Sequence, residues 1–93
     1  MSYSESAIRL RVGGGEWFII SGQQARVARF FWKNRHRWMR LWDAVLALRS
    51  DEVKARLCNV EKKVGKILDR KAGPNRRNLY RLKITVEIEE LEK

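Results

Sequence analysis

Apolar and polar residues alternate one by one near both ends of the chain. Residues 7–12 alternate apolar side chains with arginine, and this is the period of a half-buried strand. Residues 16–20, rich in aromatic and β-branched side chains, follow a loop of three glycines at 13–15, so the two segments predict a β-hairpin. Residues 79–88 alternate again and predict one long last strand, with Tyr80, Leu82, Ile84, Val86 and Ile88 on its apolar face.

Between these segments, apolar residues recur every three or four positions, which predicts three helices at about 23–33, 38–48 and 50–71. Ser50 and the two acids after it are typical of a helix start, and Gly73 and Pro74 are typical of a stop. The predicted fold is therefore α+β in the order β-β-α-α-α-β, with a small antiparallel sheet against the helices. We expect a disordered N-terminus at residues 1–6, a folded domain at 7–88 and an acidic C-terminal tail at 89–93.

The net charge of the chain points to the kind of partner this fold would bind. The 93 residues include 21 Lys and Arg against 11 Asp and Glu, a net charge of +10. Four of the acids are glutamates within residues 87–93, so residues 1–86 alone carry +13. A compact domain with four tryptophans and this charge favours a polyanionic partner.

The chain has few residues of the types that form disulfides, bind metal ions or act as catalysts. The only cysteine is Cys58 and the only histidine is His36, which disfavours a disulfide framework, a metal cluster or a catalytic triad. No uncharged segment approaches the roughly 20 residues that cross a bilayer. We therefore expect no enzymatic activity, no cofactor or metal ion, no membrane partner and no small-molecule substrate, and a cytoplasmic location, with the nucleoid as its site when bound to DNA.

The predicted third helix separates its apolar residues from its cations. At 100° per residue, the arc from about 180° to 300° away from the apolar stripe is mostly basic. Such a face can neutralise phosphates, while Asn and Arg can contact base edges. An ordinary solvated charged face is the alternative. The candidate DNA-binding residues on this helix are Arg56, Asn59, Lys62, Lys63, Lys66 and Arg70.

The segment Val53–Val64 is similar to the V-x-V-H-I-x-x-L-R-x-K-L pattern of the recognition helix in one family, with the apolar spacing and Lys63 retained. Residues 80–82 resemble that family's Gly-Tyr-x-Leu ending, with Leu79 in place of the glycine. On these motifs, residues 7–86 resemble a winged helix domain, loosely like the DNA-binding output domains of two-component response regulators. That family combines an N-terminal sheet, three helices and a C-terminal hairpin wing.

The resemblance implies double-stranded DNA binding, sequence-specific or architectural, by a small transcriptional regulator or accessory factor. Its third helix would lie in the major groove. Cys58 and Glu61 stand where the family usually has basic residues, so the implied contacts carry over to Arg56 and Asn59, whereas Lys62, Lys66 and Arg70 rest on helix geometry. Because a helix to residue 71 leaves only residues 71–78 before the last strand, the expected wing is the loop at 73–77, with Arg76 and Arg77 contacting DNA.

Residues 29–42 interleave aromatic and basic side chains. The aromatic residues are expected in the core, with Arg35, Arg37 and Arg40 as secondary phosphate contacts. RNA or single-strand binding through base stacking on this segment stays open. A protein-interaction adaptor on a winged helix scaffold is a further alternative. A homodimer or another protein partner also stays open.

Overall fold

A computed structural model describes residues 7–74 and 77–91, which form an α+β arrangement of three helices and two small antiparallel sheets. This confirms the coarse α+β prediction. The predicted disordered segment at residues 1–6 lies outside the described residues. In chain order the elements are β1 Ile8–Val12, β2 Phe18–Ile20, α1 Gly22–Lys33, α2 Leu41–Leu48, α3 Val53–Val64, β3 Leu68–Ala72, β4 Asn78–Leu82 and β5 Val86–Glu90.

The first sheet has the order β2-β1-β5, so the last strand returns to the first. The hairpin of β1 and β2 is present as predicted, with Ile8 opposite Ile20 and Leu10 opposite Phe18. Alternation places Ile8 and Leu10 in the core and Arg9 and Arg11 on the outer face. β5 begins with buried Val86, paired with Val12, so both ends of the described chain contribute to one sheet.

The core lies between this sheet and the three helices. α1 contributes Phe31, which is 1% exposed, and two buried alanines that allow close approach. α3 contributes the apolar stripe of Val53, Leu57 and Val60, as its spacing predicts. α1 and α3 pack against each other, and α3 also contacts β1 and β2. This packing fixes which face of α3 is left to solvent.

The third helix is shorter than predicted, because it ends at Val64 and not near residue 71. Gly65 adopts a φ of 98° and donates its N–H to the carbonyl oxygen of Glu61 over 2.8 Å. The carboxylate of Glu61 then accepts the N–H of Ile67 over 2.9 Å, which gives this backbone donor a partner just after the turn. Lys66 and Arg70 are therefore not on the helix, and the predicted span of 50–71 is wrong.

The residues released from the helix form a second sheet. β3 pairs with β4, with Leu68 opposite Leu82 and Arg70 opposite Tyr80. The expectation of a loop alone between α3 and the last strand is therefore wrong, because a two-stranded hairpin occupies this position. The backbone of Met39 also exchanges two hydrogen bonds with Tyr80, of 2.9 and 2.7 Å, as an isolated bridge on β4.

The predicted single last strand is two strands. β4 pairs with β3 and β5 pairs with β1, and the chain turns between them at residues 83–85. Ile84, expected on the apolar face, is 98% exposed at this turn. The order of described elements is thus β-β-α-α-α-β-β-β, and β5 includes Glu89 and Glu90, the first two residues of the predicted tail.

Candidate nucleic-acid interface

The acidic residues of β5 pair with cations on the outer face of the first sheet. Register places Arg9 opposite Glu89 and Arg11 opposite Glu87. The Arg9 Nε donates to Glu89 Oε1 over 2.8 Å, and Arg11 pairs with Glu87. Both guanidinium groups also lie over the ring of Trp17, at 4.4 and 4.5 Å from its centroid. Two of the chain's cations are therefore engaged within this sheet.

A third pair joins α1 to the same strand. The Arg29 Nε donates to Glu90 Oε2 over 2.7 Å. This hydrogen bond lowers the pKa of Glu90 below its ordinary value of 4.5; the charges of Arg29 and nearby Lys33 act in the same direction, and slight desolvation of this exposed carboxylate opposes them. The edge of α1 beside β5 is thus partly neutralised.

The outer face of α3 has a different balance of charge. Its apolar stripe faces the core, and the exposed side chains among residues 53–64 are Lys54, Ala55, Cys58, Asn59, Lys62 and Lys63. Among the described residues, Lys54 and Lys62 make no side-chain hydrogen bond or ion pair. Asn59 lies on the same exposed face as Lys62, less than one turn away. This face offers cations and one amide to solvent.

Two other predicted contacts on α3 already have partners. The Arg56 Nη2 donates to Glu52 Oε1 over 2.6 Å, one helical turn earlier. The Lys63 Nζ donates to the carbonyl oxygen of Ile19 on β2 over 3.4 Å. These contacts hold Arg56 and Lys63 at the side of the helix, and the contact with Ile19 places β2 along that side.

The opposite side of α3 faces the β3–β4 hairpin across a groove of about 380 Å³, which we call the α3–hairpin groove. Lys66 and Arg70 meet here, although neither is on the helix. Lys54, which the sequence prediction did not select, joins them. The groove is lined by Leu41, Lys54, Leu57, Cys58, Glu61, Lys66, Leu68, Arg70 and Tyr80.

A second cleft brings Arg40 and Arg77 together beside Trp38, near the turn of the hairpin. The N–H of Arg40 donates to Asp43 Oδ2 over 3.1 Å, which caps the start of α2. Lys71 and Arg81 both lie over the ring of Trp38, at 4.8 and 4.3 Å from its centroid. Two cations thus contact this ring.

Arg35 and Arg37 lie in the connection between α1 and α2. The Arg35 Nη1 donates to the carbonyl oxygen of Trp32 over 2.8 Å, and its guanidinium lies 4.0 Å from the centroid of that ring. Arg35 lines a third cleft with Arg81 and Lys83. Arg37 is exposed in the connection to α2.

The structure therefore separates the predicted site residues into groups. Arg56, Asn59, Lys62 and Lys63 share α3; Lys66 and Arg70 lie across the groove; Arg77 lies with Arg40 in the second cleft, and Arg35 in the third. Arg76 lies outside the described residues. The prediction missed cations that tertiary packing places in these clefts, of which Lys83 is paired with Asp69. They are Lys54, Lys71, Arg81 and Lys83, and alternation over residues 79–88 had only marked Arg81 and Lys83 as polar-face residues.

The aromatic residues of the segment 29–42 mostly pack inward. Phe31 is buried, and its ring meets that of Phe30 edge to face at 5.8 Å. Trp32 and Trp38 are half-buried beneath cations, whereas Trp42 on α2 is 56% exposed. Most of the aromatic residues of this segment thus contribute to packing, as expected.

Among the described residues, no helix has the length and apolar character needed to span a membrane, and no group of three or more His, Cys, Asp or Glu is placed to hold a metal ion. No family model, curated protein or solved structure matches this chain. The candidate site is accordingly defined by its own geometry and charge.

Proposed function

We propose that this protein binds double-stranded DNA through the outer face of α3. The observation that carries the proposal is the exposed face on which Asn59 lies beside Lys62, with neither Lys54 nor Lys62 paired to an acid among the described residues. Unpaired lysines release counterions when they contact phosphates, and an exposed Asn can bind an adenine edge with two hydrogen bonds.

The order of elements supports a winged helix arrangement. β1 and β2 precede the three helices and pack on α3, and the hairpin of β3 and β4 follows α3 directly. In this proposal α3 is the recognition helix and the β3–β4 hairpin is the wing. Arg77 at the hairpin would contact the DNA backbone beside the groove that α3 enters.

The distribution of acids also supports this surface. The glutamates of β5 pair with Arg9, Arg11 and Arg29, at the sheet edge opposite β2. Two acids lie at or on α3, and both are engaged: Glu52 pairs with Arg56, and the carboxylate of Glu61 accepts the N–H of Ile67. A polyanion that approaches from the α3 side therefore meets a net positive surface.

Within the interface, Lys54 and Lys62 would bind phosphates and Asn59 would contact a base edge. Arg56 would exchange its ion pair with Glu52 for a phosphate or a guanine edge. Such exposed pairs contribute about 0–1 kcal/mol, so the exchange costs little.

The test measures binding to a short, fluorescently labelled duplex by anisotropy. Lys62→Gln should weaken binding about eightfold at about 0.1 M monovalent salt, the factor that one lost phosphate contact gives. Lys33→Gln is the matched control, because Lys33 is also exposed but lies at the end of α1 near Glu90 of β5. The proposed surface would be excluded if the wild type did not bind duplex at low salt, or if Lys62→Gln and Lys33→Gln weakened duplex binding equally.

Asn59→Ala tests base-specific contacts separately from the contacts between lysines and phosphates. The variant should lose about 1–3 kcal/mol of discrimination between duplexes that differ at one base pair, and it should bind random duplex as well as the wild type does. A single strand of the same length serves as the comparison for the alternative. Tighter binding to the single strand than to the duplex would favour the stacking function of residues 29–42.

One observation favours a second candidate function, that of a protein-interaction adaptor. Trp42 and Leu46 lie one turn apart on α2 and are 56% and 60% exposed. An exposed apolar pair of this kind is typical of a docking surface. Duplex binding no stronger than that of polylysine with equal charge would favour the adaptor function over DNA binding.

A further inference from the structure

The α3–hairpin groove combines an apolar floor with a cationic rim. Leu57 is buried at its base, and Leu41, Leu68 and Tyr80 are half-buried around it. Three exposed cations stand at the rim: Lys54, Lys66 and Arg70. The volume of about 380 Å³ falls in the range of sites that hold small molecules.

Glu61, the acid that lines this groove, is already engaged. Its Oε2 accepts the N–H of Ile67 over 2.9 Å, which holds the carboxylate at the turn after α3. Among the described residues, Lys54 and Lys66 have no acidic partner. The Arg70 guanidinium lies 5.7 Å from the centroid of the Tyr80 ring, at the edge of the groove. The rim therefore carries more positive charge than the groove itself neutralises.

We infer that the α3–hairpin groove binds a small amphipathic anion, namely an aromatic or branched aliphatic carboxylate. Its apolar body would cover Leu57 and the half-buried side chains, and its carboxylate would lie between Lys66 and Arg70. Charge complementarity selects an anion, and Arg and carboxylate groups match in geometry. A nucleic-acid phosphate would satisfy the cations but leave the apolar floor uncovered, which favours a small molecule here. This site does not depend on the proposed DNA binding.

Cys58 provides a reporter of occupancy, because it is the only cysteine of the chain, is exposed and lines the groove. The experiment follows alkylation of the wild-type protein by N-ethylmaleimide with intact-mass spectrometry. The probe is 2-naphthoate, and 2-naphthamide is its neutral control of the same shape. Circular dichroism checks that the fold is kept at each probe concentration.

We expect 2-naphthoate to slow alkylation in a saturable manner, with half-maximal protection at or below about 1 mM. 2-Naphthamide should need a concentration about fivefold higher or more, since it lacks the charge. The double variant Lys66→Gln/Arg70→Gln should lose this preference for the anion. Lys62→Gln, an exposed cation of α3 outside the groove, should keep it. Each variant is compared with its own rate without probe, because its thiol reactivity can differ.

Three results would overturn the inference: no protection by 2-naphthoate, equal protection by the two probes, or equal loss in Lys62→Gln and the double variant. None of them bears on duplex binding, so failure of this site and failure of the proposed function are distinguishable.

Discussion

Gly65 ends α3 in a backbone conformation that essentially only glycine adopts. Its φ of 98° and ψ of −177° cost other residues about 1–3 kcal/mol. A Cβ placed there meets no atom within 4 Å, so the effect of Gly65→Ala comes from the backbone alone. The smaller entropy of the unfolded Ala chain offsets about 0.4–1 kcal/mol. We therefore expect Gly65→Ala to lower the free energy of unfolding by about 1–2 kcal/mol.

Urea unfolding, followed by tryptophan fluorescence, measures this loss. With a slope of about 1–1.5 kcal/mol per M for a chain of this size, the midpoint should fall by about 1 M. Gly65→Asn should lose as much, because Asn tolerates the left-handed helical region but not this one. An Ala variant as stable as the wild type, or an Asn variant clearly more stable than the Ala variant, would refute the reasoning.

Three further predictions concern stability. Phe31→Ala removes a ring that is 1% exposed, so it should lower the free energy of unfolding by about 3–5 kcal/mol in the same urea assay; a loss below 1 kcal/mol would place the ring outside the core. Arg49 has a φ of 54° after α2, a left-handed conformation that costs a non-glycine residue energy. Arg49→Gly should therefore raise the free energy of unfolding by about 0.5–1 kcal/mol and increase the Tm, and a lower Tm would show that Arg49 is not strained. Because the pKa of Glu90 is lowered in the folded protein, its contribution is present above pH 4.5 and is lost as the pH falls through the folded value. The Tm difference between the wild type and Glu90→Gln should therefore shrink from about pH 6 to about pH 3, and a constant difference would exclude the linkage.

The local pattern of apolar and polar residues correctly predicted the elements in the first part of the chain. β1, β2 and α1 lie close to their predicted positions. Alternation in β1, aromatic and β-branched residues in β2 and the apolar stripe of α1 each fit one structure. The end of α3 was missed because Ile67 and Leu68 continue the helical spacing past Val64. Gly65 was the available signal for the end, as an isolated glycine within a helical pattern.

The second half of the fold depends on pairing between distant residues. Residues 79–88 alternate without interruption, and only the separate partners of β4 and β5 require the turn at 83–85. The same holds for the candidate site. Helical geometry placed Asn59 and Lys62 together on one face, but the groove that unites Lys54 with Lys66 needs the hairpin. The pairing of Glu87 and Glu89 with β1 likewise follows from a register that local sequence does not specify.

The salt dependence of duplex binding tests the central claim most directly. If the outer face of α3 binds phosphates, the logarithm of the binding constant should fall linearly with the logarithm of salt concentration, by about 0.9 per phosphate. Lys62→Gln should reduce this slope by about 1, and Lys33→Gln should leave it unchanged. A wild-type slope near zero, or the same slope for the wild type and Lys62→Gln, would contradict the account.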